Sequence, residues 1–144
     1  MRDTLSVAAF ALMVGGLIGL FYSGSLFVDL PAVIGVQVFA GMLMLWARVT
    51  FGKRSFHAAA TPTAGGLVNT GPYRYLRHPI YTAAMLFVWP GPIARLSPSA
   101  IGFAALLSIG AIVRMLCEEY LLVRQYPEYV EYARTTKRMI PYVF

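Results

Sequence analysis

Charge and cysteine are what this 144-residue sequence has least of. Charged residues make up 12% of it, about half the share of an ordinary soluble domain. The single cysteine, Cys117, excludes an intramolecular disulfide and any cysteine-rich metal site. The two histidines, His57 and His78, lie too far apart in sequence for metal-ligand spacing, so no metal is expected. Repeats and low-complexity tracts are missing, which excludes solenoids and disordered linkers. Hydrocarbon takes their place: 58% of residues are hydrophobic and the mean hydropathy is +0.65. This composition predicts an all-α integral membrane protein of one domain. The net charge of +6 would point to nucleic acid in a soluble protein. Here it belongs to membrane topology and anionic headgroups, and no nucleic-acid partner is expected.

About four membrane segments are predicted. Leu5 to Tyr22 is the first, about long enough to span. Arg2 before it and Ser23-Gly24-Ser25 after it mimic a signal peptide, but the run is long for one and reads as a retained helix. Gly15, Gly16 and Gly19 give it a small-residue face for close helix packing. Ala32 to Thr50 is the second segment, begun by Pro31, with Trp46 as an interface residue. Gln37, polar in its middle, reads as an interhelical hydrogen-bond donor. A basic loop of about 28 residues follows from Phe51 to His78, long enough to suggest function. Within it, Gly65-Gly66 would let backbone approach a ligand closely, or make a plain turn.

Pro79 suits a first helical position, and His78 before it avoids the helical region, so a third helix should start there. It stops at Pro90-Gly91-Pro92 after roughly 17 Å, too short to cross a core of about 30 Å. It must therefore form half of a hairpin with the fourth segment, Pro98 to Tyr126, capped by Ser97. Glu128 to Lys137 reads as a short amphipathic helix in a basic tail suited to an anionic leaflet. The basic loop and tail share one side and the acidic turn at Asp29 takes the other. Both termini are then cytoplasmic, in an inner or plasma membrane.

Two charged clusters bracket the hairpin and should meet near the cytoplasmic interface: Arg77-His78 at its entrance, Arg114, Glu118 and Glu119 at its exit. Arg114 and Glu118 are four apart and share a helix face. Tyr81 falls in the first turn of the third helix, beside free N–H groups able to hold an anion. Ionisable groups at this depth default to a functional reading, against which stands a plain surface ion pair. Headgroup-depth anchoring would use the same tyrosines and arginines.

Gly71-x-Tyr73 with Arg77-His78-Pro79-x-Tyr81, then Arg114-x-x-x-Glu118-Glu119, resembles the isoprenylcysteine carboxyl methyltransferase and phospholipid methyltransferase group. The ending, Tyr126-Pro127-Glu128-Tyr129-x-x-Tyr132 with Arg138 and Pro141, is similar as well. The resemblance implies one domain over 1–144, with two membrane helices in 1–50 and a cofactor loop, hairpin and tail in 51–144. It implies S-adenosylmethionine as methyl donor and a lipophilic, membrane-embedded acceptor. By position, Gly65, Gly66, Leu67, Val68, Tyr73, His78, Pro79, Ile80 and Tyr81 would surround the cofactor. Glu118 would bind its cationic methionine part and Arg114 would face the acceptor. An amine acceptor, unlike a carboxylate, needs a proton removed, for which His78 and Glu119 are the candidates. The chain departs from the group's pattern at Gly65, where a polar residue is usual. Two other readings use the same motif or the same composition. One is an NADPH-dependent reductase of the sterol-reductase type; the other is a non-catalytic membrane protein.

Overall fold

A computed structural model describes residues 2–52 and 66–140. Its elements are α1 (Arg2–Tyr22), α2 (Pro31–Phe51), a 3₁₀ turn (Gly71–Arg74), α3 (Pro79–Val88), α4 (Pro90–Arg95), α5 (Pro98–Gln125) and α6 (Tyr129–Thr135). Gly65, Lys53, Arg54, His57 and Pro141 lie outside the described residues.

Among the described residues, three helices are long and apolar enough to cross a membrane: Thr4–Tyr22, Pro31–Phe51 and Pro98–Gln125. Their outward faces agree. Ile18 and Phe21 on α1 and Phe39, Leu45 and Val49 on α2 are all more than half exposed. So much contiguous apolar surface suits lipid and would be a liability in water. The chain is an integral membrane protein. The expected four membrane segments become three spans and one short insertion, because α3 has only 10 residues, about 15 Å.

Pro90-Gly91-Pro92 ends α3 as expected, but it does not end helical structure. Prolines at the first and third positions of a helix lose no hydrogen bond, since those N–H groups have no intrahelical partner. The same three residues therefore open α4, which closes at Leu96 in the left-handed conformation (φ 49°). Ser97 then caps α5, its Oγ accepting from the Ala100 N–H at 3.4 Å, with Pro98 at the first helical position.

The helices pack as two pairs, α1 on α5 and α2 on α3. The first pair rests on missing side chains. A Cβ on Gly16 would lie 2.7 Å from the Phe103 carbonyl, and one on Gly110 2.5 Å from the Ala9 carbonyl. Gly19 lies against the Phe103 ring. Gly15 faces open space, so it is not part of the small-residue face expected of it. The second pair is pinned by Gln37, whose Nε2 donates to the carbonyls of Leu26 (2.7 Å) and Phe87 (3.0 Å). The two pairs are joined through a core of Leu20, Leu26, Val88, Ala100, Ala104 and Leu107. Trp89 Nε1 also donates to Ser108 Oγ at 3.0 Å, tying the end of α3 to α5, although the main partner of α3 is α2 and not the segment expected to form a hairpin with it.

Candidate active site

The 3₁₀ turn that leads into α3 sits against the end of α2. Its Gly71 has φ 56°, and a Cβ there would meet Thr50 Oγ1 at 2.6 Å, so both conformation and space call for glycine. Tyr73 in that turn is buried and its ring lies 5.5 Å from that of Phe51. His78 is buried at the N-cap of α3, with Pro79 at the first helical position.

The chain's return along α5 brings its exit charges to this point. On one side of α5, Glu118 Oε1 accepts from the Tyr81 hydroxyl at 2.7 Å and lies 3.3 Å from Arg114 Nε. Arg114 is held from below by the Phe10 ring of α1, 5.3 Å from its centroid. On another side, Glu119 Oε1 lies 3.2 Å from Arg77 Nη1 and 3.3 Å from His78 Nε2. The same oxygen accepts from the Tyr129 hydroxyl at 3.4 Å. Glu119 Oε2 pairs with Arg138 Nε at 2.9 Å. An ionised carboxylate only accepts, so His78 carries its proton on Nε2 and its Nδ1 holds the lone pair when the ring is neutral. That Nδ1 is 3.9 Å from Glu118 Oε2, too far for a hydrogen bond.

Exposure separates the two carboxylates. The Glu118 side chain is 26% accessible, while those of Glu119, Arg114 and His78 are 10%, 8% and 5%. The cluster thus opens at Glu118 and, on the Glu119 side, at Arg138, whose side chain is 35% accessible. Charges are close to balanced: the guanidiniums of Arg77, Arg114 and Arg138 stand against the two carboxylates, leaving one positive charge over when His78 is neutral. The Nε of Arg77 is buried without a hydrogen-bond partner, a local cost within the cluster. Beside the cluster, burial pushes the Tyr132 hydroxyl up to about 12 and raises those of Tyr73 and Tyr129 still further. These phenols stay neutral donors at any physiological pH.

Of the residues singled out in the sequence, the structure gathers His78, Tyr81, Arg114, Glu118 and Glu119 at the start of α3, as two bonded groups that meet across the gap between His78 and Glu118. Pro79 is buried within the first turn of α3 and Ile80 is half-buried there. Gly66, Leu67 and Val68 form irregular backbone leading toward the 3₁₀ turn, with Leu67 and Val68 half-buried. Arg77 was expected at the cluster beside His78, and Tyr129 and Arg138 belong to the ending that resembles the methyltransferase group, but none of the three was assigned a role in the site. The bond of Arg138 to Glu119 had no signal of its own, since the two are 19 residues apart with no periodicity to connect them. The tail also departs from the surface helix expected for Glu128 to Lys137. Only Tyr129–Thr135 is helical, and its tyrosines turn inward: Tyr129 is buried and the Tyr132 hydroxyl donates to the Tyr73 carbonyl at 2.5 Å.

Three membrane helices and a buried charged cluster at a helix entrance define an integral membrane protein with an enzyme-like polar site. The model of the phospholipid methyltransferase family matches residues 28–129, most of the chain, and the chain belongs to that family. The family implies use of S-adenosylmethionine. The chain is also similar to the nickel-cobalt-cadmium resistance protein NccN of Alcaligenes xylosoxydans xylosoxydans, at 37% identity over 81 residues. That alignment covers 52% of this chain and 36% of NccN, so the chain spans about a third of that relative. No solved structure matches. Among the described residues, no group of three or more His, Cys, Asp or Glu side chains could hold a metal ion.

Proposed function

We propose that the chain is an S-adenosylmethionine-dependent methyltransferase acting on a lipophilic acceptor, isoprenylcysteine carboxylate-like or phospholipid-like, at the cytoplasmic membrane face. The observation that carries this is Glu118, the more open of the cluster's two carboxylates, held in place by Tyr81 and Arg114. The donor's residues fit what is there. Its α-amino group matches Glu118, and its carboxylate matches the one surplus positive charge among Arg77, Arg114 and Arg138. When bound, the donor supplies a methyl group on a sulfonium, whose displacement depends mainly on positioning and exclusion of water.

The protein's own groups divide the work. Tyr81 and Arg114 fix Glu118 so that its charge faces the donor without a search through rotamers. Arg114, on the Phe10 side, is placed to orient an anionic acceptor group arriving from lipid. Glu119 has both oxygens already bonded, which suits it to holding the site together. For an amine acceptor, the lone pair on His78 Nδ1 is the group positioned to take a proton. The Gly65-to-Val68 stretch and Tyr73 complete the donor's surroundings in this reading, with both termini in the cytoplasm.

Calorimetric titration of the detergent-purified protein with S-adenosylhomocysteine tests the proposal. Binding is expected for the wild type and should be lost in Glu118→Ala. A folded wild-type sample that takes up no S-adenosylhomocysteine overturns the reading, and NADPH is then the ligand to titrate.

A further inference from the structure

The family match ends at residue 129, and the chain beyond it bonds back to the motif at Tyr132 and through residues 137–139. Leu76 and Lys137 form a parallel bridge. The Arg77 N–H donates to the Lys137 carbonyl at 2.7 Å and the His78 N–H to the Arg138 carbonyl at 3.0 Å. Thr82 Oγ1 donates to the Met139 carbonyl at 2.8 Å, and the Met139 side chain packs with Tyr81, Ala111 and Met115. The segment 136–140 is therefore a strap laid beside residues 76–82, and it delivers one charged side chain, Arg138, to Glu119.

We propose that Arg138 is a positioning residue for the donor site, acting through Glu119 and His78 on Glu118. The inference rests on the methyltransferase reading and extends it to a residue outside the family match. By taking Glu119 Oε2 at 2.9 Å, Arg138 fixes the rotation of that carboxylate and leaves Oε1 turned to Arg77, His78 and Tyr129. His78 is thus engaged on its Nε2 side, and its Nδ1 stays 3.9 Å from Glu118. Without Arg138, the Glu119 carboxylate is free to turn and release the imidazole. A released His78 has only a short gap to close before it bonds Glu118, the carboxylate the donor's amino group needs. In the wild type, Arg138 holds His78 away from Glu118 at second hand. The Tyr81 ring also faces His78, with the two centroids 5.8 Å apart.

Arg138→Ala tests this well, because the strap's backbone bonds remain and only the side chain is lost. In the full-length protein in detergent, the affinity for S-adenosylhomocysteine is expected to fall about tenfold or more, with little change in thermal midpoint. In a Glu119→Gln background, Arg138→Ala should add almost nothing, since two residues of one relay are not additive. Arg138→Lys, which keeps the charge but not the planar fork, should fall between the two and serves if the alanine variant does not fold. Unchanged affinity in folded Arg138→Ala overturns the proposal, as does an undiminished loss in the Glu119→Gln background. Absence of binding by the wild type would instead strike at the methyltransferase reading itself.

Discussion

Consecutive residues of a helix point about 100° apart, so Glu118 and Glu119 enter different surroundings although they are chain neighbours. Glu118 meets two donors and an opening; Glu119 meets four donors and almost no solvent. Their substitutions should separate accordingly. Glu119→Gln leaves the nearly buried Arg77 without its counter-charge, a change that typically costs about 3–5 kcal/mol, while the more exposed Arg138 is screened by solvent. It should lower the thermal midpoint by clearly more than Glu118→Gln, which should in turn cost ligand affinity first. Thermal unfolding and calorimetry on the two variants check both halves. Much of this pairing was legible in the sequence. Arg114 and Glu118 share a face by their spacing, and the hairpin's return brings His78 to the same level. The partners of Glu119 from the tail were not legible, because side chains that meet through a strap share no periodicity.

At the scale of elements, the contact of α1 with α5 depends on hydrogen where other residues carry carbon. Gly16→Leu puts a side chain into the Phe103 and Leu107 backbone, and Gly110→Val does the same to Ala9. Either substitution should force the pair apart and lower stability by several degrees, whereas Gly15→Leu should be tolerated because it faces open space. Thermal melts of the three variants in one detergent make the comparison. Ser97→Ala should cost about 1 kcal/mol through loss of the α5 cap. The three long helices and the start of α3 were readable because hydropathy and proline placement act locally. The α4 turn was not, because the same Pro-Gly-Pro signal both stops one helix and starts another. The strap 136–140 was not either; its bonds to Arg77, His78 and Thr82 reach some 60 positions back along the chain.

Across the whole molecule, the buried Tyr73 and Tyr129 and the half-buried Tyr132 join α6 to the 3₁₀ turn and to the site. Their burial favours the neutral phenol, so each folded-state pKa lies above the ordinary value of 10.0. Below pH of about 10 both folded and unfolded chains keep these protons, and the contribution to stability is complete. Above it the unfolded chain releases them first, so stability should drain away as pH climbs through about 12 for Tyr132. Unfolding midpoints at pH 8 and 11 should show the loss, and replacing Tyr132 by Phe should reduce it.

The pairing of the first long helix with the last has a consequence in time. A chain entering a membrane from its N-terminus has α1 in place before α5 is made, and α1 finds its partner only after α2 and α3 have followed it. Phe10 must then wait for Arg114; Glu118 and Glu119 arrive on that same later helix, and the strap that secures Glu119 comes after it. Arg77, His78 and Tyr81 are therefore made without their acidic partners, and the charged cluster closes only when α5 and the strap have joined them.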